Sequence, residues 1–411
     1  RTEEELRNNF DQMGLLFALN HGVVTTPLAV ATSLLGADIA NIGNGTLYVF
    51  SLLSSLLLGA PVVGTFGPKN GLLFGMCLYC VYIGCFSLAL TLEPGSTAQW
   101  GTFLAGSTSG GVAAGVLWTA QGSYFSSTAT ELAKCTGQTR EQSTASLAGN
   151  FASVYLLLEV ASKVGFSFLQ NLDVQVPVIA GAYFLLGAVA LAMTTRILDF
   201  GVPQTNAKPM DKLLAASSLW SDPVIWLLAP CNLAFGFSAA YMNGFVNGTF
   251  ATQELGTSFV ALLGAITALT AAALSKVYGG LSASQGKGPV IFIGAASFLC
   301  IPLLTSGGCA GWGWGIMVLY LLQGSGRAVY ESTNRALFSD FFPGAQSDGA
   351  FANCMLQSSL AFAVCFFLQA SVDPQNLGIF VIGLAALTGP GYILAKQLRD
   401  GQRAEEDAMT S

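Results

Sequence analysis

Long apolar runs separated by short polar breaks extend along the whole chain, and they restrict its fold more than any other feature. Many of these runs reach the ~20 residues that an α-helix needs to cross a bilayer. Of the 411 residues, 53% are hydrophobic and only 9% are charged. Because soluble domains carry about 25% charged residues, this chain has too few charges to cover a globular surface in water. The sequence therefore predicts an all-α polytopic membrane protein.

The apolar runs predict twelve transmembrane helices in two groups of six. The longest polar stretch, residues 195–223, falls near the middle of the chain. We therefore predict an N-terminal bundle at 1–197, a cytoplasmic linker at 198–221 and a C-terminal bundle at 222–411. The approximate spans are 10–36, 43–66, 70–92, 98–129, 141–170, 174–197, 222–250, 255–284, 288–306, 312–340, 345–372 and 374–398.

The basic residues predict how the spans are oriented. Of the 16 Lys and Arg residues, all except Lys163 and Arg327 fall at the termini or in alternate loops. Lys and Arg collect on the cytoplasmic side of a membrane protein. Both termini are therefore expected on the cytoplasmic side of the membrane, or on the equivalent face of an organelle.

Several classes of function are disfavoured by composition. The net charge is −6 and there is no basic patch, so nucleic acid is not an expected partner. The nine cysteines lie almost entirely in apolar segments, where a thiol behaves as a small hydrophobe. The single histidine has no acidic neighbour in sequence, so no metal site or cofactor is predicted. No nucleophile–base pattern appears, and an enzyme is not expected.

Segments six spans apart resemble each other. Residues 117–133 and 320–340 each place Gln-Gly before a hydroxyl-rich segment that ends span four or span ten. Residues 64–75 and 279–294 each form a glycine-rich junction that carries a lysine. Matching features at this separation indicate two six-helix pseudo-repeats related by an axis along the membrane normal, as in the major facilitator fold.

Four stretches carry a resemblance to a known family. They are "GPKNGLLFG" (67–75), "WTAQGSYFSST" (118–128), "RAVYESTNRALFSDFFP" (327–343, directly after Gly326) and "AFANCMLQSSLAFAVCFFL" (350–368). Together they resemble the Unc-ninety-three-like (ion channel regulatory protein) branch of the major facilitator superfamily. The resemblance implies a twelve-helix facilitator fold with a central cavity lined by spans one, four, seven and ten. It also implies either a transporter or a regulatory subunit or trafficking chaperone, since members of the branch have been described in these roles.

The loop after span two departs from the general facilitator pattern. The acidic and doubly basic positions that are usual there are reduced to Gly67, Pro68 and Lys69. We regard these three residues as a gating loop that lacks most of the charged residues usual at this position.

Two ion-pair candidates lie inside predicted spans. Glu159 and Lys163 are one helical turn apart in span five, and Arg327 and Glu331 are one turn apart in span ten. A lone charge at the bilayer centre costs at least ~2.5–3.5 kcal/mol, so such residues face the protein interior and find partners. For Arg327 and Glu331, a structural or gating pair is the alternative to contact with a solute or proton. For Glu159 and Lys163, a pair within the helix or a bond to the other half is favoured over a ligand site.

Uncharged polar residues complete the candidate site. In span ten, Gln323 and Asn334 share the helical face of the Arg327–Glu331 pair by spacing. His21, which titrates near neutral pH, is a proton-coupling candidate or a packed core residue. Because polar amides also hold helices together, helix packing is the alternative reading for the rest. The further candidates for solute binding or coupling are Asn20, Trp118, Gln121, Tyr124 and Asn243.

Two functional hypotheses follow. The first is a secondary transporter of a small neutral or zwitterionic solute, working by alternating access and linked to protons. The second is a non-transporting accessory subunit that regulates or stabilises a channel, receptor or larger membrane complex. The expected partners are the lipid bilayer, a small-molecule solute or ion, and, under the second hypothesis, another membrane protein.

Overall fold

The computed structural model describes residues 1–137, 140–201, 217–342 and 346–410. Most of the predicted linker, residues 202–216, lies outside this part of the chain. All regular secondary structure in the described residues is helical, and the all-α prediction is confirmed.

The helices follow the predicted spans. The first six are α1 (Glu3–Leu34), α2 (Ala37–Leu57), α3 (Gly59–Ala89), α4 (Thr97–Thr136), α5 (Arg140–Asn171) and α6 (Val176–Thr194). The others are α7 (Pro223–Leu255), α8 (Thr257–Gln285), α9 (Lys287–Thr305), α10 (residues 317–341), α11 (Ser347–Gln369) and α12 (Pro374–Thr410). Predicted span two comprises α2 and the first turns of α3, and span three begins after a kink at Gly67 inside α3.

Two helices change their winding along their length. In α7, an α-helix at Pro223–Tyr241 is followed by a π-helical segment at Met242–Ala251 and a last turn at Thr252–Leu255. In α10, Met317–Ala328 is α-helical, Val329–Asn334 is π-helical and Arg335–Phe341 is α-helical again. Because π turns are frequently found at functional sites, these two segments direct attention to α7 and α10.

Hydropathy separates the twelve helices into two groups. Eight segments of the described chain are long and apolar enough to cross a membrane by length and composition, and they lie in α1, α3, α6, α7, α8, α9, α11 and α12. The four helices outside this group are α2, α4, α5 and α10. Two of them, α5 and α10, carry the predicted intramembrane ion pairs, which lower the hydropathy of these helices.

Contacts within the chain define two compact units. The first unit comprises Arg1–Pro209 together with Gly256–Ala265, and the second comprises Met210–Leu255 together with Ile266–Ser411. The start of α8 therefore belongs by its contacts to the first unit.

Glycines with positive φ mark equivalent junctions of the two pseudo-repeats. Gly36 (φ 94°) joins α1 to α2, and Gly256 (φ 88°) joins α7 to α8. Gly67 (φ 82°, ψ 163°) and Gly286 (φ 82°, ψ 171°) occupy the next junction of each repeat. Only glycine adopts this backbone region without strain. The same conformation at positions six helices apart supports the internal repeat that the sequence indicates.

Close backbone approach holds the first unit together. A Cβ on Gly111 of α4 would lie 2.3 Å from the carbonyl oxygen of Leu47 of α2, and one on Gly115 would lie 2.1 Å from Ser54 Oγ. Ser54 Oγ donates a hydrogen bond of 3.1 Å to the Gly111 carbonyl. Since lipid supplies no hydrophobic force between helices, small residues that permit such contact are the usual means of association.

The second unit has an apolar core near the ends of α7, α10 and α12. Val224, Phe338, Phe342 and Ala395 are fully buried there. Arg399 of α12 packs against this core, with its guanidinium 4.8 Å from the centroid of the Phe342 ring. The same guanidinium donates a hydrogen bond of 2.5 Å to the Asp222 carboxylate. Asp222 is also the N-cap of α7, so one carboxylate caps a helix and neutralises a cation.

We predict that the junction glycines are required for stability. Gly67→Ala and Gly286→Ala should each lower the free energy of unfolding by about 1–3 kcal/mol, because alanine is strained in this backbone region. The measurement is the Tm of the purified protein in detergent. The matched control is Gly64→Ala, since Gly64 lies in the same helix with open space around a Cβ and alanine favours helix. Equal Tm values for all three variants would refute the prediction.

Candidate functional site

An aromatic cluster surrounds His21 in the first unit. The imidazole is 7% exposed, and its centroid lies 5.3 Å from the rings of Trp118 and Tyr155 and 5.8 Å from those of Phe17 and Tyr79. These five residues, the aromatic–histidine cluster, come from α1, α3, α4 and α5. His21 therefore packs chiefly against aromatic rings, whose faces, but not their edges, attract a cation.

A fully buried ion pair lies on α5. Lys163 Nζ is 2.6 Å from Glu159 Oε1, and the two side chains are only 8% and 3% exposed. Tyr155, Glu159 and Lys163 follow at intervals of four and therefore share one helical face. This face begins at the aromatic–histidine cluster, because Tyr155 is a member of it. The Lys163 stem also passes Gly264 of α8, where a Cβ would lie 3.6 Å from Lys163 Cδ.

Asn20 and Gln121 are buried in the same unit. Asn20 Nδ2 donates to the Gly187 carbonyl at 3.4 Å and to Cys80 Sγ at 3.7 Å, joining α1 to α6 and α3. The contacts of Asn20 are therefore those expected of a residue that joins neighbouring helices. Its Oδ1 atom has no hydrogen-bond partner among the described residues.

Tyr124 is fully buried in the C-terminal half of α4 and holds the residues that follow α6. Its hydroxyl accepts from Asn9 Nδ2 at 2.8 Å and donates to the Leu198 carbonyl at 2.9 Å. Asn9 Oδ1 in turn accepts from the Leu198 amide at 2.7 Å. In this structure Tyr124 fixes the residues that follow α6 against α1 and α4. Its spacing in the sequence does not reveal this structural role.

A chain of three amides links α7, α10 and α11 in the second unit. Asn334 Nδ2 donates to Asn232 Oδ1, and Asn232 Nδ2 donates to Gln357 Oε1, both at 2.7 Å. The Cys354 thiol also donates to Asn232 Oδ1, at 3.1 Å. We call these four residues the amide network. Its two ends, Asn334 Oδ1 and Gln357 Nε2, are buried and have no partner among the described residues.

The π segment of α7 also contacts α10 through an asparagine. Asn247 Oδ1 accepts from the Tyr320 hydroxyl of α10 at 2.5 Å, and Asn247 Nδ2 donates to Asn243 Oδ1 at 3.5 Å. Asn243, a predicted site residue, is half-buried. Closer to the middle of the two helices, Ser238 donates to Gln323 Oε1 at 2.7 Å. Together with the Asn334–Asn232 bond, hydrogen bonds at three levels therefore join α7 to α10.

Arg327 and Glu331 pair with each other at the edge of the second unit. Arg327 Nε is 2.8 Å from Glu331 Oε1, and the side chains are 15% and 29% exposed. Gln323 and Asn334 are buried instead and bond to α7. The four residues that the spacing placed on one face are thus divided into a buried pair of amides and a partly exposed ion pair. The π turn, which takes one more residue than an α turn, separates Asn334 from the charged residues.

The two glycine-rich junctions differ in their charges. At the first, Gly67 forms the kink in α3, and Pro68 and Lys69 begin the next helical stretch. At the second, Lys287 pairs with Asp340 and donates to the Ala336 carbonyl at 3.2 Å. A cavity of about 310 Å³ lies beside this second junction, lined by Lys287, Ser332 and Thr333 among others.

Sequence reasoning missed several residues that complete these clusters. Tyr155 precedes Glu159 by four residues, and this spacing could have indicated it. Gln357 and Cys354 are three apart on α11 and resemble ordinary polar and small residues within an apolar helix. Nothing in the sequence identified Tyr79. Among the described residues there is no group of three or more His, Cys, Asp or Glu side chains that could hold a metal ion.

Known proteins resemble this chain in sequence over most of its length. No family model matches it. Protein unc-93 homolog A from Bos taurus is 25% identical, over 84% of this chain and 84% of the relative. UNC93-like protein 3 from Arabidopsis thaliana is 23% identical, over 85% of this chain and 78% of the relative.

Solved structures resemble the fold over nearly the whole chain. The nucleoside transporter NupG has a TM-score of 0.66 at 13% identity, covering 95% of this chain and 98% of that one. The peptide transporter POT in complex with sulfate has a TM-score of 0.66 at 13% identity, covering 96% and 94%. A D-xylose–proton symporter has a TM-score of 0.64 at 12% identity, covering 94% and 97%. At these identities the likeness shows the fold alone. The predicted resemblance is confirmed: the chain is a multi-pass membrane protein with the major facilitator fold, and its curated relatives are Unc-ninety-three-like proteins.

Proposed function

We propose that the protein is a secondary transporter of a small neutral or zwitterionic solute, that it works by alternating access and that it is linked to protons. The observation that carries this proposal is the buried Glu159–Lys163 pair. Burying two charges costs several kcal/mol per ion, and apolar residues of similar volume often serve stability as well or better. An intramembrane ion pair is therefore better explained by function than by stability.

The neighbourhood of the pair supports a role in proton movement. A proton added to Glu159 removes the negative charge that holds Lys163 at 2.6 Å, and the buried ammonium must then find another partner. Protonation of Glu159 therefore requires its surroundings to rearrange. A link of this kind between protonation and conformation is what proton-coupled transport requires. His21 lies beside Tyr155, at the other end of the same α5 face, and supplies a second group able to hold a proton.

The class of solute follows from the polar groups of the two units. They consist of amides, aromatic rings and ion pairs that are already neutralised, without a large excess of either charge. Such groups suit a solute with no net charge, bound by hydrogen bonds and ring contacts. Among proteins of similar fold are a nucleoside transporter and a D-xylose–proton symporter, and their names are compatible with this proposal.

The alternative is a non-transporting accessory subunit of a channel, receptor or larger membrane complex. The observation that favours it is the first junction, where Gly67, Pro68 and Lys69 replace the usual charged gate. Flux separates the two proposals. An accessory subunit would show no flux with any solute of a panel of nucleosides, sugars, peptides and amino acids, and would leave native membranes in mild detergent as part of a larger particle.

We predict that Glu159 and Lys163 are needed for proton-linked flux. Glu159→Gln and Lys163→Met should each lower stability by about 3–5 kcal/mol, because each removes one of the two opposite charges of a buried ion pair. The double variant should recover Tm but not flux. The measurements are Tm in detergent, and solute uptake and internal pH in proteoliposomes with an imposed pH gradient.

The control for this experiment is the Glu3–Arg7 pair, which has the same spacing and order but is 50% and 30% exposed. Glu3→Gln combined with Arg7→Gln should leave both Tm and flux unchanged, since exposed pairs contribute little. If the Glu159–Lys163 double variant transports solute and protons like the wild type, the pair has no role in coupling.

A smaller effect is expected at Arg327 and Glu331. Because these side chains are partly exposed, Arg327→Gln and Glu331→Gln should each cost about 1–2 kcal/mol, less than for the buried pair. The double variant should again be more stable than either single one. Recovery of stability without flux would assign the pair to solute or proton contact, whereas recovery of both would make it structural. Single variants with wild-type Tm and flux would contradict either role.

We also propose that both termini lie on the cytoplasmic side, from the distribution of Lys and Arg. In a variant whose exposed Cys77 and Cys135 are replaced by serine, a thiol placed at Gly137 should react with an impermeant reagent only after permeabilisation. A thiol at Gly307 should react in intact cells or vesicles of known orientation. Labelling of both from one side would refute this topology.

A further inference from the structure

The π segment of α10 contacts neighbouring helices through several side chains. Thr333 lies within hydrogen-bonding distance of Ser282 of α8, at 3.2 Å, and two residues contact α7 and α11. Asn334, its last residue, donates to Asn232 of α7 at 2.7 Å. Tyr330, its second residue, donates to Ser358 Oγ of α11 at 3.1 Å and stacks on Phe235 of α7 with ring centroids 3.9 Å apart. Both side chains are buried. The segment is therefore fixed to α7 and α11 by specific contacts, not only by its own backbone.

Glu331 lies directly between these two anchors in the sequence. Because the backbone between Tyr330 and Asn334 is continuous, anchors at both ends of this stretch fix the direction of Glu331. The Glu331 carboxylate then meets Arg327 at 2.8 Å, across the point where α-helix changes to π-helix. An i,i+4 pair with arginine first is the less favourable order on a regular α-helix, and this pair spans the start of the π segment.

The amide network is not the most stable way of joining these three helices. Asn334 Oδ1 and Gln357 Nε2 are buried without a partner among the described residues, and buried unpaired polar atoms cost free energy. Apolar side chains could join the same three helices without that cost. Local rules are broken in this manner chiefly at functional sites, which indicates that the network is needed for the geometry it imposes.

We propose that Asn334, held by Asn232 and Gln357, is a positioning residue that fixes the π turn of α10 and so directs Glu331 toward Arg327. Asn334 touches neither member of the ion pair in this role and acts through the backbone between them. Asn232 and Gln357 are the residues through which α7 and α11 determine the winding of α10. The inference concerns the conformation of the second unit and does not depend on which solute, if any, is carried.

The test is the coupling between Arg327 and Glu331 in different backgrounds. In the wild type, Arg327→Gln and Glu331→Gln should be non-additive in Tm, since each removes the same contact. In the Asn334→Leu background, whose side chain is of similar size but forms no hydrogen bond, this non-additivity should be lost. A residue that merely stabilised the bundle would lower Tm in every background and leave the coupling unchanged.

The control is Asn353→Leu. Asn353 is also a buried asparagine of this unit with a bond to another part of the chain, accepting from Trp220 Nε1 at 2.8 Å, and Trp220 is not a member of the amide network. The Arg327–Glu331 coupling should survive in this background. If Asn334→Leu does not fold, Gln357→Met removes the far end of the network with little change of volume, and it should weaken the coupling. Full wild-type coupling in Asn334→Leu, or in Gln357→Met where that substitute is used, would overturn the proposal.

Discussion

The interior of a bilayer offers no water to hydrogen-bond with the backbone, and the rest of this structure depends on that constraint. Each span must satisfy its own amides and carbonyls, and the helix is the way for a single segment to do so. Departures from regular helix are tolerated only where protein surrounds them. The two π segments obey this rule: both lie in the second unit and both carry asparagines bonded to another helix.

The same absence of water governs the polar side chains. A charge or amide in a span must find its partner within the protein, and the partners found here join particular helices. Glu159 and Lys163 neutralise each other within α5. The amide network instead connects three helices. A polar residue in a span therefore bonds either to its own helix or to a neighbouring helix. Only the second kind of bond determines how the helices are arranged.

Packing between helices relies on small residues for the same reason. Gly111 and Gly115 bring α4 against α2 in the first unit. In the second unit, a Cβ on Gly236 of α7 would lie 2.2 Å from the Ser358 carbonyl of α11. In both units backbone contact takes the place that interlocking leucines hold in soluble bundles. The close backbone contact also brings the polar side chains of neighbouring helices within hydrogen-bonding distance of each other.

Sequence by itself determined the membrane class, the twelve spans, the repeat and both ion pairs, because these follow from hydropathy and from spacing along one helix. It also indicated some members of the aromatic–histidine cluster and the amide network, among them His21, Trp118 and Asn334, but as separate residues. Only the tertiary structure decided that His21 lies among four aromatic rings and that Tyr124 holds the residues that follow α6. It also decided that Asn334 bonds to Asn232 and does not share the face of the charged residues of α10. These outcomes depend on contacts between distant parts of the chain and on a π turn. No periodicity encodes them, because the extra residue of a π turn is stabilised by neighbouring helices and not by its own sequence.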